Sequence, residues 1–353
     1  MPTASDLDDI DPIALTARLM EIDSTSGQEG DVIDFMHTFL ASREWHVQRI
    51  PVSPGRDDLF ATMHPVPQVG ARVTLSTHLD TVPPHIPPRL DGGVLHGRGS
   101  CDAKGIAAAM ASAAERLRAR GAPVSLLFVV GEEVTHDGAH AANEIAPTLL
   151  GNNGAGRVII NGEPTESTLA VGTKGAMRAI VRTSGQAAHS AYPHLGRSAT
   201  QALVHLLAEL DALELPHDAL LGDTTINIGM LSGGVADNVV APWAEARLMA
   251  RLVTAPEDVW GILERWVGNR ATLERGATVP PVRLGVLPGF PTSVAAYATD
   301  IPQLTRWGTP YLFGPGSIHV AHRDDEHVKI DELLSAVNAY ERIAMDALRV
   351  GSR

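Results

Sequence analysis

Residues 124–133 read VSLLFVVGEE, and this stretch decides the fold class. A continuous, valine-rich apolar run is typical of a strand that is buried on both faces of a parallel sheet. The run ends at a glycine followed by two carboxylates, Glu132 and Glu133. Two adjacent charges directly after a buried strand are costly unless they have partners, so this strand end is a candidate functional site.

Two more predicted strands end in polar side chains. The run at residues 72–77 is followed by His78-Leu79-Asp80, and the run at residues 157–160 is followed by Asn161-Gly162-Glu163. Predicted helices alternate with these strands, so the pattern indicates an α/β domain in which a mixed, mostly parallel sheet is flanked by helices. Open α/β sheets bind ligands at the carboxyl ends of their strands, where these polar clusters fall.

The pattern changes over residues 173–284, where strand, helix, two strands and helix predict an α+β unit of its own. The chain has 353 residues, and a single core seldom grows beyond about 250–300 residues. We therefore predict two domains. Residues 1–172 and 285–353 form the first domain, which carries the polar clusters, and residues 173–284 form an inserted second domain.

The bulk composition excludes several classes of protein. The formal net charge is −13 and the chain has no run of lysine or arginine, so nucleic acid is not an expected partner. The chain contains one cysteine, which excludes an intrachain disulfide and fits a reducing compartment. The first residues lack the basic and apolar parts of a signal peptide, and no apolar run approaches the roughly 20 residues that cross a membrane. We expect a cytoplasmic protein without a membrane partner.

Two further residues complete the candidate site. Asp102 precedes an Ala-rich segment, and His322 lies in a Gly- and His-containing segment near the end of the chain. The plain alternatives are a helix N-cap for Asp102 and a solvated loop pair for Glu132 and Glu133. In the functional interpretation Asp102 bridges two cations, Glu133 binds a metal, and Glu132 takes the proton from an activated water. Histidines mixed with carboxylates suit zinc, cobalt or manganese.

Four motifs together resemble the M20 metallopeptidase family, which includes deacetylases, desuccinylases, aminoacylase and carboxypeptidases. They are His78–Pro83, Gly97–Gly105, Glu132-Glu133 and Gly162–Thr165. The resemblance implies two zinc ions and a metal-dependent amidohydrolase. It implies that His78 and Glu163 hold one ion, that Glu133 and His322 hold the other, and that Asp102 bridges them.

The resemblance also implies roles for residues beside the metals. Asp80 would orient His78, and Glu132 would act as the general base. The inserted unit resembles the family's lid, or dimerisation, domain. Its histidine, His189 in this chain, would polarise the scissile carbonyl in a neighbouring active site, and Asn238 would touch the substrate. The implied assembly is a homodimer formed through the lid.

Within the family, the segment Gly314–His322 looks most like acetylornithine and acetylcitrulline deacetylases. This implies removal of an N-acyl group, acetyl above all, from a small amino acid. Asp300 is a candidate to contact a substrate ammonium group, and a helix cap is its plainer alternative. Other functions stay open: a dipeptidase or carboxypeptidase, a succinyl-diaminopimelate desuccinylase-like enzyme, and an inactive binding protein on the same scaffold.

Overall fold

The computed structural model describes residues 9–65, 72–151 and 156–350. Its strands are β1 (His46–Ser53), β2 (Arg56–Thr62), β3 (Val73–His78), β4 (Arg89–Asp91), β5 (Val94–His96), β6 (Val124–Val129), β7 (Val158–Asn161), β8 (Leu169–Thr173), β9 (Gly175–Ser184), β10 (His217–Asp218), β11 (Gly222–Asp223), β12 (Thr225–Gly233), β13 (Trp243–Leu252), β14 (Thr272–Val279), β15 (Val282–Arg283), β16 (Thr292–Ala295), β17 (Thr309–Leu312) and β18 (His327–Lys329).

The α-helices are α1 (Pro12–Glu21), α2 (Gly30–Ser42), α3 (Lys104–Ala119), α4 (Asp137–Leu150), α5 (Ala199–Leu207), α6 (Pro256–Val267) and α7 (Ile330–Val350). Three short 3₁₀ helices occupy Pro193–Leu195, Leu210–Ala212 and Ile301–Gln303. None of the described helices is both long and apolar enough to cross a membrane.

The chain divides into two compact units. Unit 1 runs to Val171 and resumes over Leu284–Ser293 and from Thr299 onward, whereas unit 2 comprises Gly172–Arg283 and Val294–Ala298. The last of these segments differs from the predicted division, which assigned it to the first domain. This segment is bonded to unit 2 through the backbone, where the N–H of Lys174 donates to the carbonyl of Ala295.

Unit 1 is built on a six-stranded sheet with the strand order β1-β2-β6-β3-β7-β17. The strands β6, β3, β7 and β17 are parallel, and at one side β2 pairs antiparallel with both β6 and the edge strand β1. A second, three-stranded sheet of unit 1 has the order β18-β5-β4. The mixed α/β architecture that the sequence predicts is confirmed.

Helices cover both faces of the six-stranded sheet. Leu126 of β6 packs into an apolar cluster with α1, α2, α3 and α7, while its neighbour Leu127 packs into a second cluster with α4 and Trp307. Successive side chains of a strand point to opposite faces. Because both faces of β6 are covered, every residue of the strand is buried, and this explains the continuous apolar run in the sequence.

Unit 2 contains an antiparallel sheet with the order β12-β13-β9-β14. Buried residues alternate with partly or fully exposed ones along β9 and β13, and the buried side chains pack against α5 and α6. Such alternation is expected of a sheet with one face on the core and one toward solvent. The edge strand β12 lacks this pattern, and most of its residues are exposed.

One predicted helix of unit 2 is broken into pieces. The sequence predicts a single helix over residues 195–213, but the α-helix there covers Ala199–Leu207 and is flanked by two 3₁₀ turns. The break has a local cause, because the hydroxyl of Ser198 accepts a hydrogen bond from the N–H of Gln201 and thereby caps a new helix start.

Candidate metal centre

Four parallel strands bring the candidate ligands to one edge of the unit 1 sheet. β3 ends at His78, β6 is followed by Glu132 and Glu133, and β7 is followed by Glu163. β17 leads into the loop that carries His322. Because parallel strands run in the same direction, their carboxyl ends meet at one edge, which is where open α/β sheets place their ligands.

The carboxylate of Asp102 lies between the two histidines. The Nε2 of His78 is 3.0 Å from Asp102 Oδ1, and the Nε2 of His322 is 3.4 Å from Asp102 Oδ2. The alternative role as a helix cap is not observed, since Ala103 occupies the N-cap position of α3. A carboxylate that presents one oxygen to each of two sites can bridge two cations.

Each histidine has a further carboxylate beside it. His322 Nε2 lies 2.9 Å from Glu133 Oε2, and His78 Nε2 lies 4.0 Å from Glu163 Oε1. The structure therefore brings together the two pairs that the sequence resemblance implies. The carboxylate of Glu132 also belongs here, because its oxygen lies within 4.8 Å of ligand atoms of His78 and Glu163.

Asp80 organises two parts of the site at once. The Nδ1 of His78 donates to the main-chain carbonyl of Asp80 at 3.0 Å and is 3.4 Å from its carboxylate. A carbonyl can only accept, so Nδ1 carries the hydrogen and Nε2 faces the other ligands. The same carboxylate accepts from the backbone N–H groups of Glu132 at 3.1 Å and Glu133 at 3.2 Å. Asp80 thus fixes the orientation of the His78 ring and the position of the backbone at Glu132 and Glu133.

The electrostatics of this cluster fit a site for cations. Burial raises the pKa of Glu163 well above its usual value, and burial together with the Glu163 charge does the same for Glu132. Glu163 Oε1 is buried and accepts no hydrogen bond within the described part of the chain. Hydrogen bonds to Asp102 and Glu133 raise the pKa of His322 to about 10. Divalent cations would supply the positive charge that this concentration of carboxylates needs.

Sequence reasoning missed the residue that holds the Asp102 loop. The buried carboxylate of Glu326 accepts hydrogen bonds from the backbone N–H groups of Gly99 at 2.9 Å and of Cys101 and Asp102 at 3.2 Å. It also pairs with the guanidinium of Arg98, which is buried too. Glu326 therefore fastens the loop after β17 to the loop before α3, and these loops carry two of the candidate ligands.

The structure places the two candidate residues of the inserted unit side by side on unit 2. The N–H of Ser190 donates to the main-chain carbonyl of Asn238 at 2.9 Å, next to a β-bridge between His189 and Val239. Both candidate side chains are exposed, and His189 Nδ1 accepts a hydrogen bond from the N–H of Ala191. Their catalytic roles stay predictions.

Asp300 lies in unit 1 at the start of a 3₁₀ turn. Its side chain makes no capping hydrogen bond, so the cap expected as its plainer role is absent. The carboxylate is buried, and its Oδ1 accepts a hydrogen bond from Nδ1 of His136 at 2.8 Å. His136 lies in none of the motifs that the sequence marks as functional. A direct contact between Asp300 and a substrate stays a prediction.

Most of the chain matches one family of known proteins. The family model described as Peptidase family M20/M25/M40 matches residues 74–346. The chain belongs to peptidase family M20. Among M20 relatives, a Peptidase M20 domain-containing protein of Schizosaccharomyces pombe is 40% identical over 348 residues, which are 96% of this chain and 85% of the relative. A probable carboxypeptidase of Aspergillus clavatus is 37% identical over 367 residues, which are 94% of this chain and 81% of the relative.

A solved structure shares the fold. The chain resembles a tripeptidase from Staphylococcus aureus with a TM-score of 0.78, and the likeness covers 96% of this chain and 99% of the other. The two sequences are 20% identical, so this likeness concerns the fold alone. The family membership confirms the predicted metallopeptidase family, whereas the predicted acetylornithine specificity stays a prediction.

Proposed function

We propose that this M20 protein is a metal-dependent amidohydrolase that acts as a carboxypeptidase and releases the carboxyl-terminal amino acid of a short peptide. The observation that carries the proposal is the cluster of His78, Asp102, Glu133, Glu163 and His322 with the carboxylate of Glu132 beside it. The names of its fungal relatives support the carboxypeptidase side of this class over deacetylation.

The proposed chemistry uses two divalent cations, with zinc, cobalt and manganese all compatible with the donors. When bound, such cations supply Lewis acidity, which lowers the pKa of a water from its bulk value toward about 7. Glu132 then accepts the proton of the attacking water and returns it to the leaving amine, the ordinary task of a general acid–base group. Its backbone is fixed by Asp80, which keeps the carboxylate at the edge of the ligand cluster.

We propose that the working form is a homodimer that pairs through unit 2. Met230 and Leu231 are exposed on the edge strand β12, and Trp243 is exposed on the adjacent strand. An exposed apolar edge strand favours pairing with another chain. In such a dimer, His189 of one subunit would stabilise the developing oxyanion in the active site of the other, and Asn238 would contact the substrate.

A second candidate is deacetylation of N-acetylornithine or N-acetylcitrulline. The similarity of the segment Gly314–His322 to deacetylases of the family supports it. A deacetylase and a carboxypeptidase both break an amide whose nitrogen belongs to an amino acid with a free carboxylate. The two candidates differ in the size of the acyl part that the site accepts.

The test is a hydrolysis screen of the full chain loaded with zinc, cobalt or manganese. Four groups of substrates are compared: dipeptides, N-blocked peptides with a free carboxyl terminus, N-acetyl amino acids and N-succinyl amino acids. Carboxyl-amidated copies of the same peptides are the matched control. We expect turnover of the free-carboxylate peptides and little turnover of the amidated copies. Equal turnover of both, or cleavage of N-acetyl amino acids alone, would contradict the carboxypeptidase proposal.

A further inference from the structure

A histidine and a carboxylate form a bonded pair next to the proposed general base. His136 lies in the loop between β6 and α4, and Asp300 lies at the start of the 3₁₀ turn Ile301–Gln303. One ligand atom from each of Glu132, His136 and Asp300 falls within 4.8 Å of the others. The family resemblance assigns no role to His136, and the proposed mechanism does not use it.

The hydrogen on Nδ1 of His136 has one carboxylate within hydrogen-bond distance and a second one just beyond it. Asp300 Oδ1 lies 2.8 Å from Nδ1, which is a hydrogen bond, whereas Glu132 Oε1 lies 3.9 Å away and is too far for one. An N–H directed at one acceptor is not available to another. As long as Asp300 accepts it, His136 makes no hydrogen bond to Glu132.

The carboxylate of Glu132 has few other restraints. Its backbone N–H is bound to Asp80, but no hydrogen bond to its side-chain oxygens occurs among the described residues, although the side chain is nine-tenths buried. A general base needs a free lone pair to accept the proton of the attacking water. A donor only 3.9 Å away could hydrogen-bond to Glu132 Oε1 after a shift of about 1 Å, because hydrogen bonds of this kind form near 2.9 Å, and it would then compete with the attacking water for that oxygen.

We propose that Asp300 is a positioning residue that keeps the Nδ1 hydrogen of His136 away from Glu132 and so preserves Glu132 as a base. This inference rests on the proposed amide hydrolysis and deepens it. It also assigns Asp300 a function without a direct substrate contact. Asp300 acts through His136. Without Asp300, the Nδ1 hydrogen of His136 has no acceptor, and its hydrogen bond to Glu132 is what lowers the activity.

The decisive experiment is a double-mutant cycle in the metal-loaded full chain. We expect Asp300→Ala to lower kcat by about 10–100-fold, the usual cost of losing a group that orients a functional residue. The KM of Asp300→Ala should change little, and any change should be of similar size for every substrate. His136→Ala should be milder than Asp300→Ala, because no competing donor remains. The double variant Asp300→Ala/His136→Ala should therefore recover to about the activity of His136→Ala alone, since the two sites are coupled.

Two comparisons separate this role from a merely structural one. Asp300→Asn keeps an acceptor oxygen for His136 and should retain most of kcat. The exposed pair His217 and Asp223 of unit 2 has the same 2.8 Å contact between Nδ1 and Oδ1, so removing its partners is a matched control that should leave kcat unchanged. Metal content and melting temperature are measured for all variants.

Several outcomes would overturn the inference. One is multiplicative loss in the double variant, which would mean that the two residues act independently. Another is a KM increase confined to substrates that carry an ammonium group, which would make Asp300 a substrate contact. If Asp300→Ala does not fold, ¹⁵N NMR of the imidazole decides, because a wild-type His136 without a hydrogen on Nδ1 contradicts the pair. Absence of turnover by the wild type on every substrate would instead refute the proposed function.

Discussion

The candidate catalytic groups of the two units differ in how they are held. In unit 1, His78, Asp102 and Glu163 are buried, and each contacts another member of the cluster. In unit 2, His189 and Asn238 are exposed and are held through local hydrogen bonds of the backbone. The same contrast holds for apolar side chains, since many of the exposed large ones are in unit 2, among them Tyr192, Leu195, Val204, Ile228, Met230, Leu231, Val235 and Trp243.

This difference indicates which part of the proposed active site a single chain can form and which part needs a partner. Carboxylates and imidazoles at mutual contact distance, all buried or nearly so except the half-exposed His322, form a site that needs only cations to balance its charge. Exposed apolar side chains clustered on one unit instead indicate a surface that becomes buried against a partner. We therefore expect unit 1 to supply the chemistry and unit 2 to contribute only when a second chain is present. The following predictions test this division.

Removal of the metals should have the largest effect. Chelation should abolish hydrolysis, and about two divalent ions per chain should restore it, since Asp102 lies between two histidine sites that a pair of ions would share. Turnover and metal content are measured together during stepwise readdition. Full activity in the metal-free chain, or recovery complete at one ion, would contradict the two-ion site.

Substitution of the proposed base should come next. Glu132→Gln should lower kcat by roughly 10²–10⁴-fold while both metals stay bound, because the change removes a proton acceptor and keeps the size of the side chain. Metal analysis by mass spectrometry accompanies the kinetics. Glu132 lies within 4.8 Å of the ligand atoms of His78 and Glu163. A fall in metal content that parallels activity would therefore identify Glu132 as a ligand instead of a base.

A smaller, concentration-dependent effect is expected from the edge of unit 2. Met230→Lys should produce a monomer, because a lysine on an edge strand opposes pairing with another chain. Activity should then fall about as far as in His189→Ala, for which loss of an oxyanion donor typically costs about 10²–10³-fold. Molar mass from light scattering and kcat are the measurements.

The chain offers a matched control for this variant. Leu90 of unit 1 and Met230 of unit 2 are both 60% exposed. Leu90→Lys should therefore leave the molar mass of the assembly and its activity unchanged. A fully active monomer, or a dimer that persists in Met230→Lys with Leu231→Lys added, would refute pairing through β12.

The smallest effect on turnover is expected at Glu326, which holds the loops of Asp102 and His322 together. Its substitution should instead have a measurable cost in stability. Glu326→Gln should lower the free energy of unfolding by about 3–5 kcal/mol, because it leaves the buried Arg98 without its charge partner. The exposed pair Arg270 and Glu209 of unit 2 is the control, and Glu209→Gln should leave the urea midpoint unchanged. If both variants unfolded at similar urea concentrations, the buried ion pair would contribute no more to stability than the exposed one, and the prediction would be wrong.

Local pattern predicted most of the unit 1 site. The strand ends that carry His78, Glu132 and Glu163 were recognised from short apolar runs followed by polar residues, and the structure places these strand ends at one sheet edge. The sequence makes Asp300 a candidate contact for a substrate ammonium group, whereas its hydrogen bond with His136 is visible only in the structure. Substrate specificity was not determined either, because selectivity depends on a few pocket contacts worth only about 1–3 kcal/mol each.

The sequence by itself determined the α/β class, the family and the identity of the candidate ligands, since these follow from residue types within short stretches and from motif order. The tertiary structure alone decided the partners of the buried charges. Glu326 and Arg98 are 228 positions apart, and His136 and Asp300 are 164 positions apart. Hydrogen bonds between such distant segments arise when the core packs, because burial then leaves each charged group only the partners that folding brings to it.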